Sequence, residues 1–95
     1  MAKLTRDSTE AERRAATERV VEVEWIDSHS EHGWSSDVPY PGLIRSVGYV
    51  LRDDDTGLTL TESIDLEPGT SAYGCSMAIP RVAVRSVREF SRKKR

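Results

Sequence analysis

The stretch Trp25 to Trp34, "WIDSHSEHGW", brings together the residue types of a hydrolytic site: an aspartate, a serine and a histidine in direct succession. A Ser–His–Asp triad works because the histidine bridges the serine hydroxyl and the carboxylate in space. Consecutive residues of an extended chain point to alternating faces, so Asp27, Ser28 and His29 cannot form that line. We therefore assign no catalytic residue and expect a protein that is not an enzyme.

The same segment offers metal ligands, since a loop can turn His29 and His32 inward beside Asp27 or Glu31. The chain has no further histidine to complete a typical site. We favour a turn in which Asp27 or Ser28 accepts backbone N–H bonds at the end of a strand, while Trp34 folds back over one end of the core. No metal site and no cofactor are predicted.

Two other groups of residues are candidates for metal binding or thiol chemistry. The acidic run Asp53 to Asp55 before Gly57 could attract calcium, but the ligand spacing of a helix–loop–helix calcium site is missing, so a solvated hairpin turn is favoured. Cys75 is the single cysteine and forms no internal disulfide or zinc thiolate pair. We expect it to be a small, half-buried residue.

Charged residues are distributed unevenly along the chain. Residues 1–19 hold five Lys/Arg against four Asp/Glu, residues 20–80 two against eleven, and residues 81–95 seven against one. An acidic body thus carries a basic end, which could bind phosphate backbones, fold onto an acidic body, or only keep the protein in solution. No apolar run of membrane-spanning length and no apolar N-terminal segment occur, so we expect a cytoplasmic protein without membrane contact.

The first 19 residues contain a helix-start pattern. Asp7 or Thr9 precedes a capping glutamate, and Glu10 and Arg14 have the i,i+4 spacing of an ion pair. The apolar positions are mostly alanine, so this short helix has little to bury. We expect it to fray or to dock against a partner.

The rest of the chain has the pattern of short strands. Val21, Val23 and Trp25 alternate with glutamates, the period of a half-buried strand. Gly48 is expected at a bulge or a close approach, and the acidic turn joins two strands into a hairpin. The predicted strands cover residues 20–28, 43–52, 58–66, 75–79 and, after Pro80 and a short 3₁₀ turn, a last segment that ends at residue 90.

These elements predict a mainly β protein: a small five-stranded antiparallel barrel with a short N-terminal helix and a basic C-terminal tail. The domain division is an N-terminal polar helical segment at 1–19, the barrel at 20–90 and the tail at 91–95. Closure is expected because a chain this small can hardly protect free edges.

Several ordered elements occur along the chain: Trp25, Asp27, Ser28, then Gly33, Trp34, then Ser46 to Tyr49, Asp53 to Asp55, and Ile79, Pro80, Val84 and Val87. In their order and spacing they resemble a group of small uncharacterised bacteriophage proteins. The resemblance covers roughly residues 20 to 90 and implies a phage or prophage gene expressed in the bacterial host cytoplasm; it implies no activity. The strand order and the Ile-Pro turn are also similar to Sm-like and Src-homology-3-like barrels, which bind RNA, peptides or copies of themselves.

The leading hypothesis is a non-enzymatic accessory protein that binds a host or phage protein or assembles with itself into an oligomer. Trp25 and Tyr49 are expected in or beside the core, whereas aromatic residues in loops are candidates for exposure. The candidate partner-binding residues are Trp34, Tyr40, Tyr73, His29 and His32.

Two alternatives stay open. The first is a nucleic-acid-associated factor that uses the basic end of the chain, although the acidic body would repel a phosphate backbone. The second is a sponge that holds a small ligand or nucleotide between subunits. The candidate nucleic-acid-binding residues are Arg85, Arg88, Arg92, Lys93, Lys94 and Arg95.

Overall fold

A computed structural model describes residues 4–15, 18–28, 30, 33–34, 36–67, 69 and 72–90 of the 95-residue chain. These residues form one antiparallel sheet of five strands and one short helix, as the sequence predicts. In chain order the elements are α1 (Glu10–Ala15), β1 (Val20–Asp27), β2 (Gly42–Asp53), β3 (Gly57–Ile64), β4 (Tyr73–Pro80), the 3₁₀ turn η1 (Arg81–Ala83) and β5 (Val84–Phe90).

The strands lie in the order β4-β3-β2-β1-β5, so β4 and β5 are the two edges of the sheet. The sheet is open, and the predicted closure into a barrel is not confirmed. Two features make the outer edge of β4 a poor partner for β5. Cys75 has a positive φ of 56°, which interrupts the extended backbone, and Pro80 has no N–H to donate.

The core lies on the inner face of β1 and continues across β3 and β4. Val21 and Val23 are fully buried, while the alternating Glu22 and Glu24 point to the opposite face. Trp25 is half-buried and packs against the core, as predicted. Burying each aliphatic side chain stabilises the fold by about 1.5–3 kcal/mol. The other buried members are Val50, Leu58, Leu60 and Ile79.

Strand β2 pairs with two strands in turn. Its first part, up to Tyr49, lies against β1, and from Tyr49 onward it lies against β3. Gly48 stands at this change of partner, and a Cβ there would lie 2.9 Å from the carbonyl oxygen of Thr61 and 3.1 Å from the Cβ of Leu60. The predicted close approach at Gly48 is confirmed, while the register shift itself falls between Val50 and Arg52.

The N-terminal segment docks onto its own sheet, so the expected fraying or partner-only docking is corrected. Thr9 and Glu12 form a reciprocal capping box, with N–H to side-chain oxygen distances of 3.0 and 3.1 Å. The guanidinium of Arg13 is fully buried and donates to the carbonyl oxygens of Asp65 and Thr5, both at 2.8 Å. A buried guanidinium among carbonyl oxygens holds α1 against the end of β3.

Replacing Gly48 with alanine should destabilise the protein, because the new methyl group meets a backbone oxygen that cannot move away. We expect a loss of about 1–3 kcal/mol, the usual cost of overpacking, measured by thermal unfolding. Gly42→Ala is the matched control, since the nearest atom to its Cβ is a flexible Ile44 methyl at 3.8 Å. Equal melting temperatures for both variants would contradict the close approach.

Replacing Arg13 with alanine should release the N-terminal segment without unfolding the sheet. Amide exchange over residues 4–15 should become at least about tenfold faster, because the docking bonds are lost and the carbonyl oxygens face an empty site. Arg14→Ala is the control, since the Arg14–Glu10 pair of 2.9 Å lies on the exposed side of the helix. Faster exchange in both variants alike would argue against docking through Arg13.

Candidate functional site

The connection between β1 and β2 leaves the sheet and returns at a fixed point. Asp27 pairs with Gly42 at the end of the ladder. The N–H of Ser28 donates to the Asp27 carboxylate at 2.8 Å, which confirms the predicted turn at the end of the strand. The intervening loop is thereby anchored at both ends by β1 and β2.

This loop and the start of β2 carry large apolar side chains in solvent. Trp34 is fully exposed, and Tyr40, Val38 and Leu43 are 78%, 72% and 62% exposed. We call these four residues the loop surface. The prediction that Trp34 covers one end of the core was wrong, because its side chain is fully exposed; Trp25 and Val84 pack against the core.

The predicted partner-binding residues separate into three groups. Trp34 and Tyr40 are exposed, as expected of loop aromatics. Tyr73 lies on β4 rather than in a loop; it is half-buried, and its hydroxyl accepts the N–H of Leu4 at 2.8 Å, so it has a structural role and is removed from the surface. His29 and His32 lie outside the described residues.

The remaining chemical candidates are the possible metal ligands and Cys75. In the part of the chain that the structure describes, no three His, Cys, Asp or Glu side chains are placed to hold a metal ion. Cys75 is exposed, which corrects the half-buried prediction; its positive φ directs the residue out of the regular ladder. The carboxylate of Glu62 raises the pKa of the Cys75 thiol, which keeps it protonated and a poor nucleophile at neutral pH.

The basic candidates on β5 are engaged within the chain. Arg85 donates to the carbonyl oxygen of Val82 at 3.3 Å. Arg88 pairs with Glu22 at 3.1 Å and lies 5.1 Å above the ring of Phe90. The acidic outer face of β1 therefore compensates the charge of Arg88. Arg92, Lys93, Lys94 and Arg95 lie outside the described residues.

An ion-pair network, missed by the sequence prediction, ties the acidic turn to distant elements. Asp53 accepts bonds from Arg19, at 2.7 Å, and from Arg81. Arg19 also binds Glu89 on β5 at 2.6 Å. Arg81 further donates to the carbonyl oxygens of Asp54 and Gly57. The network links the start of β1, the β2–β3 turn, η1 and β5.

The network changes the titration of its members. The guanidinium of Arg19 first, and that of Arg81 second, hold the pKa of Asp53 below its usual value. Arg19 likewise lowers the pKa of Glu89. Since Arg19 and Arg81 stand 34 and 28 residues from Asp53, no local sequence signal joins them. A run of three aspartates was the one visible hint, and we interpreted it only as a solvated turn.

Asp53→Asn should lower stability in a pH-dependent way. A carboxylate with a lowered folded pKa stabilises the fold above its unfolded pKa of about 3.9, and this contribution disappears as the pH falls through the folded pKa. The variant should lose about 1 kcal/mol at pH 7, after allowance for solvent screening, and approach the original protein in strong acid. Thermal unfolding from neutral to acid pH measures this.

Asp55→Asn is the matched control, because the Asp55 side chain is exposed and has no bond to another described residue. A loss of stability that is equal for both variants, or independent of pH, would contradict a structural role for the Asp53 network.

The described helix α1 has six residues and is too short to span a bilayer, and no other described helix could do so. Comparison with protein-family models, curated proteins and solved structures gave no match. The function has to be argued from the surface of the chain itself.

Proposed function

We propose that the chain is a non-enzymatic binding protein that acts by contacting another protein through the loop surface of Trp34, Val38, Tyr40 and Leu43. The observation that carries the proposal is the exposure of these four side chains on a loop anchored at both ends. Tryptophan and tyrosine are enriched among residues that dominate protein–protein affinity. Apolar residues grouped along one exposed segment are typical of an interaction site.

The charge of the loop favours a protein over a nucleic acid. Residues 28–43 contain Glu31 and Asp37 and no lysine or arginine. A phosphate backbone would be repelled there, because nucleic-acid affinity depends on cationic side chains. A partner that offers an apolar pocket with a neutral or basic rim fits this segment better.

The proposed setting is that of a bacteriophage accessory protein in the cytoplasm of the bacterial host, and the sheet is proposed to belong to the small SH3-like barrels. The ordered sequence elements between residues 20 and 90 support the phage origin. The fold assignment is supported by the position of β1 between β5 and β2, and by the 3₁₀ turn that precedes β5.

A pull-down from bacterial lysate tests the proposal. The tagged chain should retain a specific protein, and Trp34→Ala/Tyr40→Ala should weaken that interaction at least about tenfold, because truncating aromatic anchors typically removes about 2 kcal/mol or more each. Val82→Ala is the matched control, since Val82 is an equally exposed apolar residue on η1, outside the loop surface.

A direct readout uses the fluorescence of Trp34, obtained as the difference between the original protein and Trp34→Phe. Its emission should shift to shorter wavelength when the purified partner is added, because the indole leaves water. A partner bound equally well by the double variant, or an unchanged Trp34 emission on binding, would remove the loop surface from the proposal.

A further inference from the structure

Strand β5 is an edge strand whose outer side carries backbone N–H and C=O groups without a partner strand among the described residues. Its inner side pairs with β1 from Val20↔Phe90 to Trp25↔Val84. Six of its seven residues are exposed, and Val87 is 38% exposed although it pairs with the fully buried Val23. A half-exposed valine at the free edge of a ladder would gain burial if another strand were added.

The opposite edge of the sheet is less suited to strand addition. On β4, the positive φ of Cys75 interrupts the extended backbone, and Pro80 lacks a donor. Only the four residues between them present a regular edge. On β5, the ladder to β1 is regular from Ser86 to Phe90, and its irregularity lies opposite Glu24 and Trp25 at the start of the strand.

We infer that β5 pairs antiparallel with β5 of a second copy of this chain, about a two-fold axis at Val87. In this register Val87 faces Val87 of the second copy. Arg85 faces Glu89 of the second copy, and Glu89 faces Arg85. Each Glu89 already accepts from Arg19 of its own chain at 2.6 Å, so the pairing would bring a second arginine to it on either side of the central valines. Val87 and Glu89 are two residues apart in the regular part of the ladder, which places them on one face of the strand. Arg85 directly precedes that part, at the register shift, and has no Cα partner on β1.

Other symmetric registers are less favourable. A two-fold axis at Arg88 places two arginines opposite each other, and an axis at Glu89 places two glutamates opposite each other, which is destabilising. An axis at Ser86 opposes Arg85 to Val87 and forms no pair of opposite charges. The pattern of charges along β5 therefore selects the register centred on Val87.

The pairing would join two five-stranded sheets into one and place two loop surfaces on one particle. Two linked copies of a binding surface raise the apparent affinity for a partner that carries two sites. The inference does not depend on the partner proposed for the loop surface, because β5 and the loop surface share no residue.

Disulfide mapping tests the register. In a Cys75→Ser background, Val87→Cys should form a linked dimer under mild oxidation, because facing Cα atoms lie about 4.5–5.5 Å apart, within disulfide reach. Ser86→Cys and Arg88→Cys should each stay unlinked alone. In this register the new cysteine of one copy is offset by two positions from the same cysteine of the second copy, so the two lie roughly 8 Å apart. A mixture of these two variants should form a linked heterodimer, because residue 86 faces residue 88.

Light scattering over a concentration series supplies the second readout. The original chain should be a dimer, and Val87→Lys should weaken dimerisation at least about tenfold, because two lysines would face each other. Val82→Lys is the control, since it places the same charge on an exposed valine outside β5. Circular dichroism verifies that both variants fold.

Three results would overturn the inference: a monomer at every concentration, equal linking at residues 86, 87 and 88, or a dimer unaffected by Val87→Lys. When the loop-surface changes Trp34→Ala/Tyr40→Ala are added to the Cys75→Ser/Val87→Cys background, the chain should cross-link as well as it does with the unchanged loop. Failure of the dimer and failure of partner binding are therefore separate outcomes.

Discussion

The fold depends on one strand that pairs with two neighbouring strands. Strand β2 pairs with β1 up to Tyr49 and with β3 from Tyr49 onward. This change of partner requires the backbones of β2 and β3 to approach so closely at Gly48 that a Cβ would lie 2.9 Å from a carbonyl oxygen. The valines of β1 and the leucines of β3 thereby reach one core, which a short chain could not build from a flat sheet with one face in water.

Ion pairs outside the core also stabilise this arrangement of strands. Arg19 and Arg81 converge on Asp53, and Glu89 extends the contact to β5, so the network holds the end of β2 against both neighbouring parts of the sheet. On the outer face of β1, Glu22 and Glu24 are matched by Arg45 and Arg88. Part of the acidic excess of residues 20–80 is thus compensated within the fold. The loop between β1 and β2 and the start of β2 expose large apolar side chains.

Two separate parts of the surface carry the proposals. The loop surface combines aromatic side chains with an acidic, lysine- and arginine-free segment, which suits an apolar protein pocket. The edge of β5 has backbone groups without a partner strand among the described residues. When two copies of β5 pair antiparallel, Arg85 of one copy faces Glu89 of the other. The free edge of β5 follows from the open sheet, because closure of β4 onto β5 would cover it, whereas the loop surface does not depend on whether the sheet closes.

Local pattern was enough to predict the strands, the turn after Asp27, the capping box at Thr9 and the close approach at Gly48, because each depends on residues adjacent in the chain or on a period of two. The positions of Trp34, Tyr73 and Cys75 were not predictable in this way, since exposure depends on which distant side chain already fills a site.

The sequence by itself determined the β class and the order of the elements, because both follow from patterns of neighbouring residues. The tertiary structure alone decided that the sheet stays open, that Arg13 is buried among carbonyl oxygens, and that Asp53 joins Arg19 to Arg81. The bond from Arg13 to Asp65 and the two ion pairs of Asp53 join residues 28 to 52 positions apart, whose meeting is determined by the tertiary structure and not by any local preference.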